Sequence, residues 1–342
     1  MKLGFITKTV LSTATIAAIT ISTSGVYAAE DKNYILATAS TGGTYYPVGV
    51  AIATLSKVKL EPKFGVSLSA VSSAGSGENI KLLGENQAQF GILQGINGAW
   101  AWNGTGPMER AGKQTELRSI STLWQQVEHF TIRSELAKTG TIADLKELEG
   151  SNNKFSIGKK NSGAEGSGRH ILKSLDIDAN EFSLAYMGYG ASADAIQNGN
   201  IDGMNTPAGV PAGAITRLYA SLGDKVTVLD FTDEQMAKTN HEYDLWTKYT
   251  IPANTYPGQT KPINTIAESN FLATRADVSE EDVYQLTKTI YENLNYLSAI
   301  HKATSSMSVE TALKGLYVPL HPGALRYYRE QGVTIPNHLI AE

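Results

Sequence analysis

One plan recurs along the chain: a β-rich run, a turn of glycines and hydroxyls, then a helical pattern. In its first appearance residues 34–39 read as a strand, Thr41-Gly42-Gly43-Thr44-Tyr45-Tyr46-Pro47 as the turn, and 48–57 as a helix. A strand over 66–71, a polar turn over 72–77 and a helix over 78–86 follow, and a third strand over 90–93 ends at Gln94. In its second appearance strands over 154–158, 182–186, 201–205 and 226–229 alternate with helices over 169–175, 191–198 and 213–222. The first of these helices is entered through the glycine-rich turn 161–168. Strands separated by helices pair through crossovers, so the pattern dictates an α/β fold of mixed, mostly parallel sheets flanked by helices. The two appearances share a plan but no fixed period, which excludes a solenoid.

Two extended runs are expected to join the resulting lobes as hinge strands: 117–133, rich in Thr, Val, Ile and Phe, and 262–274. Lobe I is then 29–124 plus 264–342, and lobe II 125–263. A cleft between lobes tied by extended connectors is a hinged clamp. Near the C-terminus Val283, Leu286, Ile290, Leu294 and Leu297 recur at helical spacing, so 279–299 is expected to form one amphipathic core helix.

The chain has no cysteine, which removes disulfides, thiolate metal sites and cysteine nucleophiles together. Its net charge of −4 argues against a nucleic-acid partner. At the N-terminus Lys2 and Lys8 precede an uncharged apolar run over 10–21, and Val26-Tyr27-Ala28 offers a small-residue cleavage site. Residues 1–28 thus read as a signal peptide, with the mature chain starting at Ala29. Without a cysteine to carry lipid, the product is expected to be free in a periplasm.

In parallel α/β sheets ligands sit beyond the carboxyl ends of the strands. Four glycine- or hydroxyl-rich turns fall there: 42–46, 72–77, 94–97 and 162–168. Three open onto a helix N-terminus, whose free N–H groups and positive dipole end suit a carboxylate. Any one such turn is an ordinary helix cap; four at one sheet edge form a site. Tyr45, Tyr46, Tyr186 and Tyr189 can wall it, whereas Trp100, Trp102 and Trp124 read as core. Arg169 or Lys159 can serve as a charge partner for an acidic ligand. Nucleotide motifs fail, because Ala164-Glu165 stands where a phosphate loop needs Lys-Ser or Lys-Thr. The six histidines show no metal-ligand spacing, and neither a metal nor a cofactor is expected.

The stretches TGGTYYPVG at 41–49, VSSAGSGENIKLL at 71–83, QAQFGILQ at 87–94 and PLHPGALRYY at 319–328, with the turns 162–172 and 201–211, resemble the TAXI family of TRAP-transporter solute-binding proteins. The resemblance implies a two-lobe, periplasmic-binding-protein-like (type II) fold. It implies a monomeric receptor that closes on glutamate, 2-oxoglutarate or a similar small acidic metabolite. The receptor would then deliver its ligand to TRAP membrane permease subunits driven by an ion gradient. It places Gly43, Thr44, Tyr45, Tyr46, Ser72, Ser73, Asn79 and Gln94 of lobe I at the ligand. From lobe II it places Ser162, Gly163, Ala164, Ser167, Asn205 and Thr206. Against this stands an exported serine hydrolase on the same sheet edge, with Ser76 or Ser167 as nucleophile, which requires a histidine within reach. A purely adhesive surface protein would have no well-formed cleft.

Overall fold

The computed structural model describes residues 1, 4 and 31–341; the segment read as a signal peptide lies almost wholly outside them. The first half of the chain builds strands β1 (Lys32–Ala37), β2 (Val66–Val71), β3 (Phe90–Gln94) and β4 (Leu117–Val127), with helices α1 (Tyr45–Leu55), α2 (Glu61–Phe64), α3 (Ser76–Gly84) and α4 (Gly95–Asn103). Then come β5 (Phe130–Arg133), β6 (Lys154–Ser156), α5 (Gly163–Ser174), β7 (Ser183–Ala185), α6 (Tyr189–Gln197), β8 (Gly203–Asn205), α7 (Gly213–Leu222), β9 (Val226–Val228) and α8 (Asp233–Thr239). The chain closes with β10 (Thr247–Ile251), β11 (Ile263–Arg275), α9 (Glu280–Glu292), α10 (Leu294–Ile300) and α11 (Pro322–Glu330).

These strands form two sheets. The first runs β10-β11-β3-β1-β2, with β4 also paired to β11; the second runs β7-β6-β8-β5-β9. Each has a parallel core, β3-β1-β2 and β7-β6-β8. Each is completed by antiparallel strands, β11 against β3 and β5 against β8. The antiparallel members are the extended runs expected as connectors. β4 ends in the first sheet at Val127, and after Glu128 and His129 the chain enters the second sheet as β5. Beside that crossing the Glu128 amide donates to the Ile266 carbonyl of β11. Two long strands therefore bridge the lobes side by side.

Local chemistry sets the helix boundaries. Ser162 caps α5 by accepting from the Glu165 amide, and Ser279 caps α9, whose first turn carries Glu280, Glu281 and Asp282. Three differences from the sequence reading have simple causes. The helix expected over 279–299 breaks at Asn293, which has φ −128° and starts a second helix. Helices α1, α3 and α5 start two to six residues earlier than apolar periodicity indicates, because their first turns carry the small polar residues that form the site. Strand β10, drawn with lobe II in the sequence division, pairs with β11 in the first sheet.

The core follows the layers. One apolar cluster, with Leu36, Phe90, Phe271 and Val283, fills the first lobe. Two others cover the second sheet, one around Phe130 and Phe155 and one around Met204 and Ile215. Trp100 of α4 belongs to the second lobe's cluster and Trp124 to the first lobe's, in keeping with a core role for both. Trp102 is half-buried.

Candidate ligand-binding site

The glycine turns of both lobes meet. Around one cavity stand Gly43, Thr44 and Tyr45 at the start of α1, Gly75 and Ser76 at that of α3, Gln94 before α4, Gly163 and Ala164 opening α5, and Tyr189 opening α6. The cavity has a volume of about 20 Å³, space for one or two waters. The lobes are thus closed, and polar contacts latch them. The Glu78 amide donates to the Asn161 carbonyl at 2.9 Å, and the Ala214 amide to the Gly42 carbonyl at 3.2 Å. Thr44 Oγ1 donates to the Gly209 carbonyl at 3.2 Å.

Glycine permits this approach. A Cβ on Gly77 would lie 2.5 Å from the Asn161 carbonyl oxygen, and one on Gly42 2.8 Å from the Gly190 nitrogen. A Cβ on Gly163 would collide with Gln94 Oε1. In α5 the Ser162 side chain takes the Glu165 amide and the Ser162 carbonyl the Gly166 amide. The Gly163 and Ala164 amides, in the first turn, have no carbonyl to reach inside the helix, and both residues line the cavity.

Of the residues that the resemblance places at the ligand, six line the cavity: Gly43, Thr44, Tyr45, Gln94, Gly163 and Ala164. Ser167, Asn205 and Thr206 are buried and do not line it. Nor do the other five. Ser73 and Asn79 brace the second turn from beneath: Ser73 Oγ donates to Asn79 Oδ1 at 2.7 Å, and Asn79 Nδ2 to the Thr38 and Ile92 carbonyls at 2.7 and 2.9 Å. Ser72 is exposed, Tyr46 is half-buried, and Ser162 acts as a helix cap. Of the candidate charge partners, Arg169 binds Glu165, Asn180 and Tyr186 outside the cavity, and Lys159 is not in its wall.

The sequence reading missed a buried polar row of which Gln94 and Gln126 line the cavity. Gln126 and Glu268 are paired across β4 and β11, and Gln94 is paired with Asn270 across β3 and β11. With Glu128 two residues beyond Gln126, these side chains make a polar row across the strands that bridge the lobes. Gln94 Nε2 donates to Glu268 Oε1 at 3.0 Å and the Ile96 amide to Glu268 Oε2 at 2.7 Å. Both glutamates are fully buried. Burial pushes the Glu268 carboxyl up to about 8, against the pull of these two hydrogen bonds. Glu128 is likewise held well above the usual carboxylate range, first by burial and then by Glu268; Ser167 and Asn205 offset this in part. Neither Glu128 oxygen closes a hydrogen bond. The available signal was a Gln-x-Glu and a Glu-x-Asn set at same-face spacing inside long apolar strands.

The hydrolase alternative needs a base beside Ser76 or Ser167. Ser76 Oγ accepts from the Gln94 amide at 3.0 Å, and Ser167 Oγ is unpartnered. His129, the buried histidine of the bridge, is committed elsewhere: Nδ1 faces the Val127 and Thr206 carbonyls and Nε2 the Tyr256 hydroxyl.

Two lobes, bridged by paired strands and closed over converging helix starts, have the architecture of a periplasmic binding protein. Known structures share it. MatC from Rhodopseudomonas palustris with bound malate superposes with a TM-score of 0.52 at 13% identity, covering 80% of this chain and 88% of that one. A structure described as a periplasmic transporter gives 0.50 at 12% identity, covering 80% and 87%. Residues 36–332 match the NMT1-like family, and the chain belongs to it.

Proposed function

We propose that the protein is an extracytoplasmic solute receptor of the TAXI type, exported by a cleavable signal peptide. It closes its lobes on a small carboxylate-bearing metabolite of the glutamate and 2-oxoglutarate class and hands it to TRAP permease subunits. The moving bodies divide at the bridge, near residues 124–128 and 263, with β10 joined to the first sheet by its pairing. The observation that carries this reading is the convergence of helix starts from both lobes on one cavity, Gly163 and Ala164 in the first turn of α5 among them. Such first-turn amides favour a carboxylate without a cationic side chain. Opening must precede binding, since the closed cavity is smaller than any such metabolite.

A thermal-shift screen of acidic metabolites, amino acids, sugars and amines tests the reading. A ligand bound only by the native state raises the melting temperature, by the equivalent of about 2.7 kcal/mol at a hundredfold excess over Kd. Stabilisation by carboxylate-bearing metabolites is expected. A response to sugars alone would refute the ligand class.

A further inference from the structure

We propose that Asn97 and Trp100 of α4 set the balance between open and closed lobes from outside the cavity, Trp100 as an apolar latch and Asn97 as its counterweight. This rests on the solute-receptor reading and adds how capture is tuned. Neither residue lines the cavity. Both are therefore positioning residues, acting on a ligand only through closure.

Helix α4 is held by the first lobe and buried in the second. It follows β3 without a break, and a Cβ on Gly98 would lie 2.6 Å from the Phe271 ring of β11. Ala101 belongs to the first lobe's apolar cluster. Ile96 and Trp100, four residues apart and so on one helix face, belong to the cluster around Phe130 and Phe155 instead. Trp100 meets His170 of α5 edge-on, with ring centroids 5.9 Å apart. His170 is itself fixed: its Nε2 donates to the Thr239 carbonyl at 3.1 Å, and its ring stacks on Trp246 at 5.3 Å. Rotation about the bridge parts α4 from α5 and returns the Trp100 ring to water. An indole is among the largest apolar surfaces one side chain can bury, so this contact favours the closed form.

Asn97 works in the opposite direction. The atoms nearest to a Cβ on Gly166 of α5 would be the Trp100 ring at 3.1 Å and the Asn97 side-chain amide at 3.6 and 3.8 Å, so both residues meet α5 at one glycine. Asn97 is 4% exposed, and its Nδ2 has no acceptor in the closed seam. Opening hydrates that group, so closure carries the cost of a buried, unsatisfied donor. Two residues of one helix turn thus bias the same equilibrium with opposite signs. With the latch alone the cavity would stay shut against its ligand; with the counterweight alone the ligand would have to supply all the energy of closure.

The test exploits the absence of cysteine from the sequence. In the mature protein, Ser76→Cys puts a single thiol on the cavity wall, where iodoacetamide reaches it only when the lobes open. Ser40→Cys with Gly188→Cys puts two thiols across the lobes. A Cβ on Gly188 would lie 3.4 Å from Ser40 Cβ, so the pair forms a disulfide only in the closed form. Ser56→Cys, buried within the first lobe, reports unfolding. Whichever form dominates, one of the two cleft reporters responds. Trp100→Ala is expected to speed alkylation at Ser76→Cys, or to slow disulfide formation with oxidised glutathione, by about tenfold or more, and Trp100→Phe by about threefold. Asn97→Ala is expected to move the same reporters about threefold the other way. The thiol of Ser56→Cys should react no faster in any of them. Should Trp100→Ala not fold, Trp100→Phe and Asn97→Ala decide. Cleft reporters that respond to opening but are unmoved by all three changes would overturn the proposal and leave the receptor reading intact. Equal acceleration at Ser56→Cys would also overturn it, by making Trp100 a residue of the fold alone. Alkylation at Ser76→Cys no faster than at Ser56→Cys in every variant would show lobes that never open, and the receptor reading would fall together with the proposal.

Discussion

The α-carbon of Gly163 abuts the side-chain oxygen of Gln94 so closely that no Cβ can stand between them in the closed form. Ser76 Oγ is also only 2.8 Å from where that Cβ would be. Gln94 cannot swing aside freely, because its Nε2 is bonded to Glu268. Gly163 lies in the first turn of α5, where alanine fits the helix. Gly163→Ala should therefore fold normally yet resist closure. Its affinity should fall about tenfold or more, because binding requires a less populated state. Small-angle scattering with saturating ligand should show a larger radius of gyration than wild type. Unchanged affinity would mean that this turn is a helix cap and nothing else.

Gly166 makes a graded comparison. A Cβ there would sit 3.1 Å from the Trp100 ring, a tight contact and not a collision. Gly166→Ala should weaken binding less than Gly163→Ala, and Gly166→Val more than Gly166→Ala. A reversed order by calorimetry would show that the Trp100 face takes no part in closure.

The hydroxyl of Tyr45 is buried without a partner, while its ring packs edge-on to Trp124 at 5.9 Å. Removing an unsatisfied buried polar atom costs the ligand-free protein nothing, so Tyr45→Phe should leave its melting temperature unchanged or higher. Ligand affinity should fall by about 0.5–1.5 kcal/mol for a neutral hydrogen bond, or up to ~3 kcal/mol if the hydroxyl meets a carboxylate. A lowered melting temperature together with unchanged affinity would place the hydroxyl in the fold and not at the ligand.

Much of this was legible because glycine and hydroxyl turns and apolar periodicity are local signals. Residues 66–71 and 213–222 fall where patterning put them, and Gly43, Tyr45, Gln94 and Gly163 meet at one cavity. What local pattern does not encode is which buried polar residues face one another. Gln126 and Glu268 are far apart in sequence and become neighbours only through the β4–β11 register. Ser73 and Asn79 illustrate the converse: residues of the right type in the right turn hold the backbone from below and never reach the cavity.

The bridge also sets a pH profile for stability. Glu268, with its folded pKa raised to about 8 from the usual 4.5, binds a proton more readily when folded. Between those values the folded state holds more protons than the unfolded chain, so stability rises as pH falls from 8 toward 4.5, by on the order of 3–5 kcal/mol at most. Glu128 acts in the same direction. His129 and His321 act oppositely. Burial lowers both from 6.5 to about 4, so the stability they lend is complete above 6.5 and is lost as pH drops through 4, on the order of 3 kcal/mol each. The opposing effects largely cancel between about pH 4.5 and 6.5, so the melting temperature of the ligand-free protein should be nearly level there and fall as pH rises from about 6.5 toward 8. Glu268→Gln should make the alkaline fall shallower and unmask a fall in melting temperature below about pH 6.5, where His129 and His321 are no longer fully offset. A melting temperature that climbs steadily from pH 6 to 8 in wild type would show that Glu268 is ionised in the closed protein without cost.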